Sequence, residues 1–419
     1  MARPSTHLWI ALRFMTSRKR SILMTLAGVV LGTGLFIVVQ AQGAGFERLF
    51  VRTVLGTNGA LRIQDAWQDT LRTLALEESG DGPAPALAQK RAVRYVPGVP
   101  DPGRTIPAVR AFAGVRSVAP VLRGSVTLTA HGRSEGGEAL GIEVDSFLAV
   151  SDLAAYLVAG SMETMRAGPD TVLIGQGLAE RLRLEPGDRI TLQALDRTRQ
   201  ARVAGVFESG IGDIDRSRAY MHLAEARSLF ARPHGLSYLQ VTLDNPDRAP
   251  ALARHMEPVL RHDVASWQER EKSWLEVFRA LRLSSVIVLL SLLLVAGLGM
   301  FNTLALLGME KAREIAVLRS MGYRRGDIQA IFLWQGGIIA VIGSLLGCAL
   351  GFALTSALSQ VPIRIRGIFR TDTFVVAWMP ESYLWAVGLA TTILLLAAIG
   401  PARRAAGLDP ALLLRGRNG

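Results

Sequence analysis

Four long stretches of this chain carry no charge, and no other feature restricts its architecture so much. They cover residues 22–41 (ILMTLAGVVLGTGLFIVVQA), 283–309, 328–363 and 382–400 (SYLWAVGLATTILLLAAIG). About 20 apolar residues in a helix cross roughly 30 Å of hydrocarbon, and a helix satisfies its own backbone hydrogen bonds in lipid. The sequence therefore predicts four transmembrane helices, the third tilted with a short continuation and the fourth closed by Pro401. Basic residues before 22–41 make a cleaved leader the competing interpretation. The apolar core is too long for one, and no clear small-residue cleavage site follows it.

The formal charge is +12, which on its own would suit nucleic acid. Only four of the 47 basic residues are lysines, however, and the basic residues gather beside the apolar runs, so a membrane-flanking role accounts for them and nucleic-acid binding does not. Arg13, Arg18, Lys19 and Arg20 precede the first run; Lys311, Arg313, Arg319, Arg324 and Arg325 separate the second from the third; Arg403, Arg404, Arg415 and Arg417 follow the fourth. With four spans all three groups fall on one side, which the positive-inside rule makes the cytoplasm. Arg364, Arg366 and Arg370 on the opposite side run against that pattern without outweighing it.

Residues 42–281 then form a single extracytoplasmic loop, long enough to bury a core of its own. Its first part, through Gln64, reads as a continuation of the first helix followed by a strand. The Gly/Pro-rich segment 77–104 reads as an irregular insertion. Alternating runs such as SVTLTA, RITLQAL, ARVAGVF and YLQVTL predict half-buried strands, and QGLAERLRL and LAEARSLFA predict helices between them. Residues 264–281 read as a helix running through Trp267 and Trp274 into span two. The expected fold is thus a four-helix membrane protein with a large α+β extracytoplasmic domain between spans one and two.

Catalytic constellations are missing from the sequence. The six histidines show no HExxH and no metal-ligand spacing, and no lysine follows a glycine, which excludes a Walker A loop within these residues. Asp213 and Asp215 sit close enough to be imagined as a carboxylate pair, but a turn between strands explains them more simply. The single cysteine, Cys348, lies in an apolar run and reads as a packing residue.

Between the second and third spans lies MEKAREIAVLRSMGYRRGD, residues 309–327. Residues 310–321 favour a helix, with Gly322 placed to end it and Arg324 and Arg325 near its negative end. Ala312, Ile315, Ala316 and Leu318 give it an apolar side. Two interpretations stay open on the residues alone: a helix lying on lipid headgroups, or a docking helix that enters a cleft on a partner.

This stretch and its continuation IQAIFLWQGGIIAVIGSLLGCALGFAL resemble the signature of the FtsX/MacB class of ABC transporter permeases, as does the tail PARRAAGLDPALLLRG. The segments IALRFMTSRKR, GFERLFVRTVLG, VLIGQGLAERLRLEPGDRITL and FESGIGDIDRSRAYMHLAEARSLF resemble the lipoprotein-releasing permeases LolC and LolE. Insertion 77–104 matches nothing in that pattern.

The resemblance implies a non-catalytic permease subunit of the bacterial inner membrane, with ATP and Mg bound by a partner ATPase dimer and no cofactor in this chain. It divides the chain into a cytoplasmic segment 1–21, span one 22–41, a MacB-like periplasmic domain 42–281, span two 282–309, a coupling loop 310–327, span three 328–360, a short loop 361–381, span four 382–400 and a tail 401–419, with 282–415 the FtsX-like region. Glu310, Arg313, Glu314, Ile315, Leu318, Arg319 and Gly322 would dock the ATPase. A second permease copy or a related permease, a lipoprotein substrate and a periplasmic carrier are the other implied partners. Leu35, Phe36, Val39 and Phe46 would face substrate or lipid. Gly343, Gly347 and Gly351, and Gly28 and Gly32, recur every four residues as helix-packing faces, the latter pair suited to a dimer or substrate interface. Asn302 is expected to hydrogen-bond between helices. Relatives that export peptides or antibiotics, or regulate cell-wall hydrolases, are the alternative functions.

Overall fold

The computed structural model describes residues 4–15, 19–68, 94–362 and 373–407. In chain order, α1 (Pro4–Met15) and α2 (Lys19–Asn58) lead into β1 (Leu61–Gln68), β2 (Arg94–Val96), α3 (Pro102–Arg110), β3 (Val115–Ala130) and β4 (Arg133–Ile142). Then come α4 (Val144–Leu148), β5 (Leu157–Gly160), α5 (Met162–Ala167), β6 (Thr171–Gly175), α6 (Gln176–Leu182), β7 (Arg189–Ala194) and β8 (Arg197–Phe207). They are followed by α7 (Gly212–Ser217), β9 (Arg218–His222), α8 (Leu223–Leu229), β10 (Tyr238–Leu243), α9 (Ala249–Leu260), β11 (His262–Ser266) and α10 (Trp267–Arg270). The last helices are α11 (Lys272–Glu310), α12 (Ala312–Ser320), α13 (Arg325–Ser359) and α14 (Pro380–Gly407). Two compact units result: a helical one from Met1–Arg48, Glu276–Pro362 and Thr373–Gly419, and a second containing Leu49–Leu275.

In the helical unit, α2, α11, α13 and α14 are each long and apolar enough to cross a membrane. Their contacts follow the small residues. A Cβ on Gly343, Gly347 or Gly351 would stand 2.8, 2.7 or 2.9 Å from Val29, Thr33 or Ile37, so α13 approaches α2 along that stripe as closely as backbone allows. Gly28 and Gly32 face Ala296 and Leu292 on α11, each 3.4 Å from the Cβ a substitution would add. Both glycine faces of α2 and α13 are therefore occupied within this one chain. Cys348 is half-buried against a cluster formed by Phe36, Ile37, Leu289, Leu293, Ala386 and Ala390. Asn302, expected to hydrogen-bond between helices, is exposed on α11 of this chain.

The second unit is α+β. Strands β3, β4, β9, β6, β8 and β7 pair in that sequence, and β7 returns to pair with β3, closing a six-stranded ring. One buried side of those strands forms a cluster with α6 and α8 that includes Leu122, Leu128, Val172, Leu178, Leu192 and Leu229. Strand β7 shows the alternation that a one-sided strand requires, with Ile190, Leu192 and Ala194 buried. From β3 the sheet also extends through β10 and β1 to β11, all antiparallel.

Three sequence expectations are corrected here. Residues 264–281 are not one helix: Val264, Ala265 and Ser266 pair with Ile63, Arg62 and Leu61 as strand β11. Ser266 then caps α10 in a reciprocal capping box with Glu269, and Glu271 separates α10 from α11. The edge of β1 captured residues that in isolation are compatible with a helix. Segment 77–104 is not irregular throughout either, because Arg94–Val96 pairs with β1 and α3 starts at Pro102; residues 77–93 lie outside the described residues. Finally, α14 passes through Pro401 to Gly407. Proline inside a helix costs about 3 kcal/mol. Burial of Ala402, Ala405 and Ala406 in the cluster shared with Leu307 and Phe332 offsets that cost.

Candidate functional site

The short helix α12 is made locally. Lys311 (φ −92°, ψ 12°) interrupts the long helical run, so α11 ends at Glu310 and α12 begins at Ala312. At the other end Gly322 adopts φ +98°, where a side chain would be strained. The Gly322 N–H donates to Arg319 O at 3.1 Å and the Tyr323 N–H to Leu318 O at 3.2 Å. That pair of bonds is a Schellman stop, and it fixes the helix at nine residues. The next helix, α13, opens with the Arg324 N–H donating to Asp327 Oδ2 at 2.8 Å.

Burial divides α12 into two sides. Ile315 and Ala316 are buried, and Ile315 belongs to a cluster with Leu304, Leu307, Ile328 and Phe332. Leu318 is partly buried against the same cluster, and Arg319 Nη1 reaches Ala406 O at 3.5 Å. The sequence-based expectation offered Ile315 and Leu318 to a partner; the structure turns them into the chain's own core. A nine-residue helix in isolation is unstable in water, so it must bury its apolar side somewhere, and the adjacent helices take it.

The outward side carries Glu310, Arg313, Glu314, Val317, Ser320 and Met321, with Val317 at 44% and Met321 at 74% exposure. Of the residues expected to dock, Glu310, Arg313, Glu314 and Gly322 are on the outside. Val317 and Met321 were missed because they were counted with neither the charges nor the apolar side. Their i, i+4 spacing aligned with Arg313 is the signal that could have found them. Two carboxylates on the exposed face disfavour a resting place on anionic headgroups, and polarizable Met with Val among charges suits a protein surface.

Helix α1 braces both ends of α12. Phe14 is buried with Lys311 Nζ 5.6 Å from its ring centre. His7 is buried with Nε2 3.5 Å from Asp327 Oδ1 and its ring edge-on to Tyr323 at 6.3 Å. Nothing in the sequence pattern pointed to this contact.

Of the residues expected to face lipid or substrate, Leu35 and Val39 are each 47% exposed and share an outward stripe of α2 with Leu31. Phe36 is turned inward, in the cluster with Leu289, Leu293 and Ala390, which corrects its assignment to that stripe. Phe46 is half-buried with its ring edge-on to Phe374 at 5.9 Å. Asp215 does not form a pair with Asp213: it is buried and accepts from Ser209 N, Ser209 Oγ and Gly210 N, while Asp213 is exposed. Among the described residues no group of His, Cys, Asp or Glu side chains is arranged to hold a metal ion.

Comparison with known proteins follows this division of the chain. Residues 22–259 match the MacB-like periplasmic core domain, and residues 286–410 match the FtsX-like permease C-terminal region. The chain is 24% identical to the lipoprotein-releasing system transmembrane protein LolC of Neisseria meningitidis serogroup B, an alignment covering 98% of this chain and 99% of that protein. LolE of Haemophilus influenzae is 27% identical over 58% of this chain and 64% of its own length. The macrolide export ATP-binding/permease protein MacB of Psychrobacter arcticus is 24% identical over 96% of this chain, which spans 58% of that relative. The chain belongs to the MacB-like periplasmic core domain family, here joined to an FtsX-like permease region, and is a multi-pass protein of the bacterial inner membrane.

Proposed function

We propose that this chain is the non-catalytic membrane subunit of an ABC transporter that releases lipoproteins from the inner membrane. A separate ATPase binds ATP and Mg and docks on the outward side of α12. ATP-driven closure of the ATPase dimer moves that helix, and α2 and α11, which run from the helical unit into the second unit, carry the motion outward. A second copy or a related permease completes the membrane part. Acyl chains removed from the outer leaflet cost about 0.8 kcal/mol for each methylene exposed to water, so an apolar path must hold them. Leu31, Leu35 and Val39 supply one wall of it.

The observation that carries this reading is the two-sided α12: its apolar face is used internally, and a mixed Glu/Arg/Val/Met face is left outward. End-to-end likeness to a lipoprotein-releasing protein supports the substrate class. Reconstitution of the chain with its ATPase and a triacylated lipoprotein tests it. ATP-dependent transfer to a soluble carrier is the expected result. A complex that hydrolyses ATP, retains the lipoprotein and instead expels a small amphiphile overturns it in favour of efflux, the reading suggested by likeness to the macrolide exporter.

A further inference from the structure

The C-terminal end of α2 is held in an unusual way. The last four carbonyls of a helix have no partner within it, and water normally serves exposed ones. Here each is taken by protein. Leu55 O accepts from Gly59 N at 3.1 Å, and Gly56 O accepts from both Asp152 N and Ser151 Oγ at 2.8 Å. Thr57 O accepts from Gln240 Nε2 at 3.2 Å, and Asn58 O from Arg270 Nη1 at 3.2 Å. The second arm of the same guanidinium donates to Gly59 O at 2.8 Å, and Arg218 Nη1 donates to Asn58 Oδ1 at 3.2 Å.

The seat admits no slack. A Cβ on Gly56 would stand 2.5 Å from Tyr156 Oη, and one on Gly59, where φ is +64°, would stand 2.9 Å from Val241 O. Helix end, loop 151–152, strands β9 and β10, and α10 are thereby bound in one hydrogen-bonded joint. Arg270 has a special place in it. It is the last residue of α10, and α11 begins two residues later. Its bidentate grip therefore ties the end of α2 to the start of α11, the two helices that cross between the units. Guanidinium at the negative end of a helix is favourable on both charge and geometry. Burial and the nearby Arg62 lower the pKa of Arg270 to about 10, so it remains a cation at neutral pH.

We infer that this joint is where motion of α2 and α11 is passed to the second unit, and that Arg270 is its positioning residue. The inference rests on the ATP-driven transporter reading above. Asn58 and Gly59 are the points gripped; Gln240 and Ser151 spread the load into the sheet and the 151–152 loop.

The test uses the full chain with its ATPase in nanodiscs, comparing Arg270→Ala and Arg270→Lys with wild type. Spin labels at Asp145 and Leu281 report ATP-dependent displacement without any substrate, and lipoprotein released per ATP hydrolysed is measured in parallel. The expected result is an ATP-dependent distance change in wild type that is lost in Arg270→Ala, with ATP hydrolysis retained and release per ATP down about tenfold, the scale of a typical coupling energy. Arg270→Lys, which keeps the charge but cannot grip two carbonyls at once, falls between them and serves as the deciding variant if the alanine protein does not fold. A purely structural cap would lower melting temperature yet leave displacement and release per ATP unchanged in the folded complex, and that outcome overturns the inference. So does absence of displacement in wild type. Displacement in wild type without lipoprotein release removes the substrate reading and leaves the joint standing.

Discussion

Val317 stands on the opposite side of α12 from Ile315: the valine is 44% exposed, while the isoleucine, two residues earlier, is 1% exposed within the helical core. The choice between them decides which substitutions report on docking. Val317→Asp and Met321→Asp should abolish ATPase co-purification while membrane levels stay normal. Each is expected to cost about 2 kcal/mol of binding, the scale of an interface hot spot. Ile315→Asp should instead deplete the protein itself, because an unpaired carboxylate in an apolar core costs several kcal/mol. Pull-down from solubilised membranes, normalised to chain level, separates the two. Full ATPase recovery with both exposed residues replaced would return α12 to a lipid-surface role.

Helix packing makes a second, internally controlled forecast. Gly347→Ala places a Cβ 2.7 Å from Thr33 Cβ, whereas Gly28→Ala places one at an ordinary 3.4 Å from Ala296. Overpacking costs about 1–3 kcal/mol, so the first variant should melt clearly lower in detergent and the second close to wild type. Equal melting temperatures would show that α2 and α13 separate more readily than their contact implies.

Topology is open to a direct chemical test. Cysteines at Ser5, Arg325 and Asn418, in a Cys348→Ala background, should be shielded from an impermeant thiol reagent in intact spheroplasts. A cysteine at Ser134, exposed beyond the β3–β4 turn, should label. Labelling at Arg325 would break the assignment of α12 to the cytoplasmic side.

For the substrate path, a photo-crosslinking residue at Leu35 or Val39 should capture a triacylated lipoprotein, and ATP with the ATPase should remove the adduct. The same residue at Phe36 should crosslink within the chain to α11 or α14, since Phe36 packs with Leu289 and Ala390. Capture of phospholipid alone at Leu35 and Val39 would leave that stripe as ordinary lipid-facing surface.

The sequence by itself determined the four spans, the large α+β domain between the first two, and the Gly322 stop. These rest on short-range physics: uncharged length against bilayer thickness, strand alternation, and one residue free to adopt positive φ. The tertiary structure alone decided which side of α12 is free, because an apolar face looks the same in sequence whether its own bundle or a partner covers it. It also decided that Val264–Ser266 joins β1, that Pro401 lies within α14, and that the glycines of α2 meet α11 of the same chain. The grip of Arg270 on Asn58 was out of reach for the same reason. The two residues are 212 positions apart, and nothing local in either one's neighbourhood specifies a partner that only the folded sheet brings near.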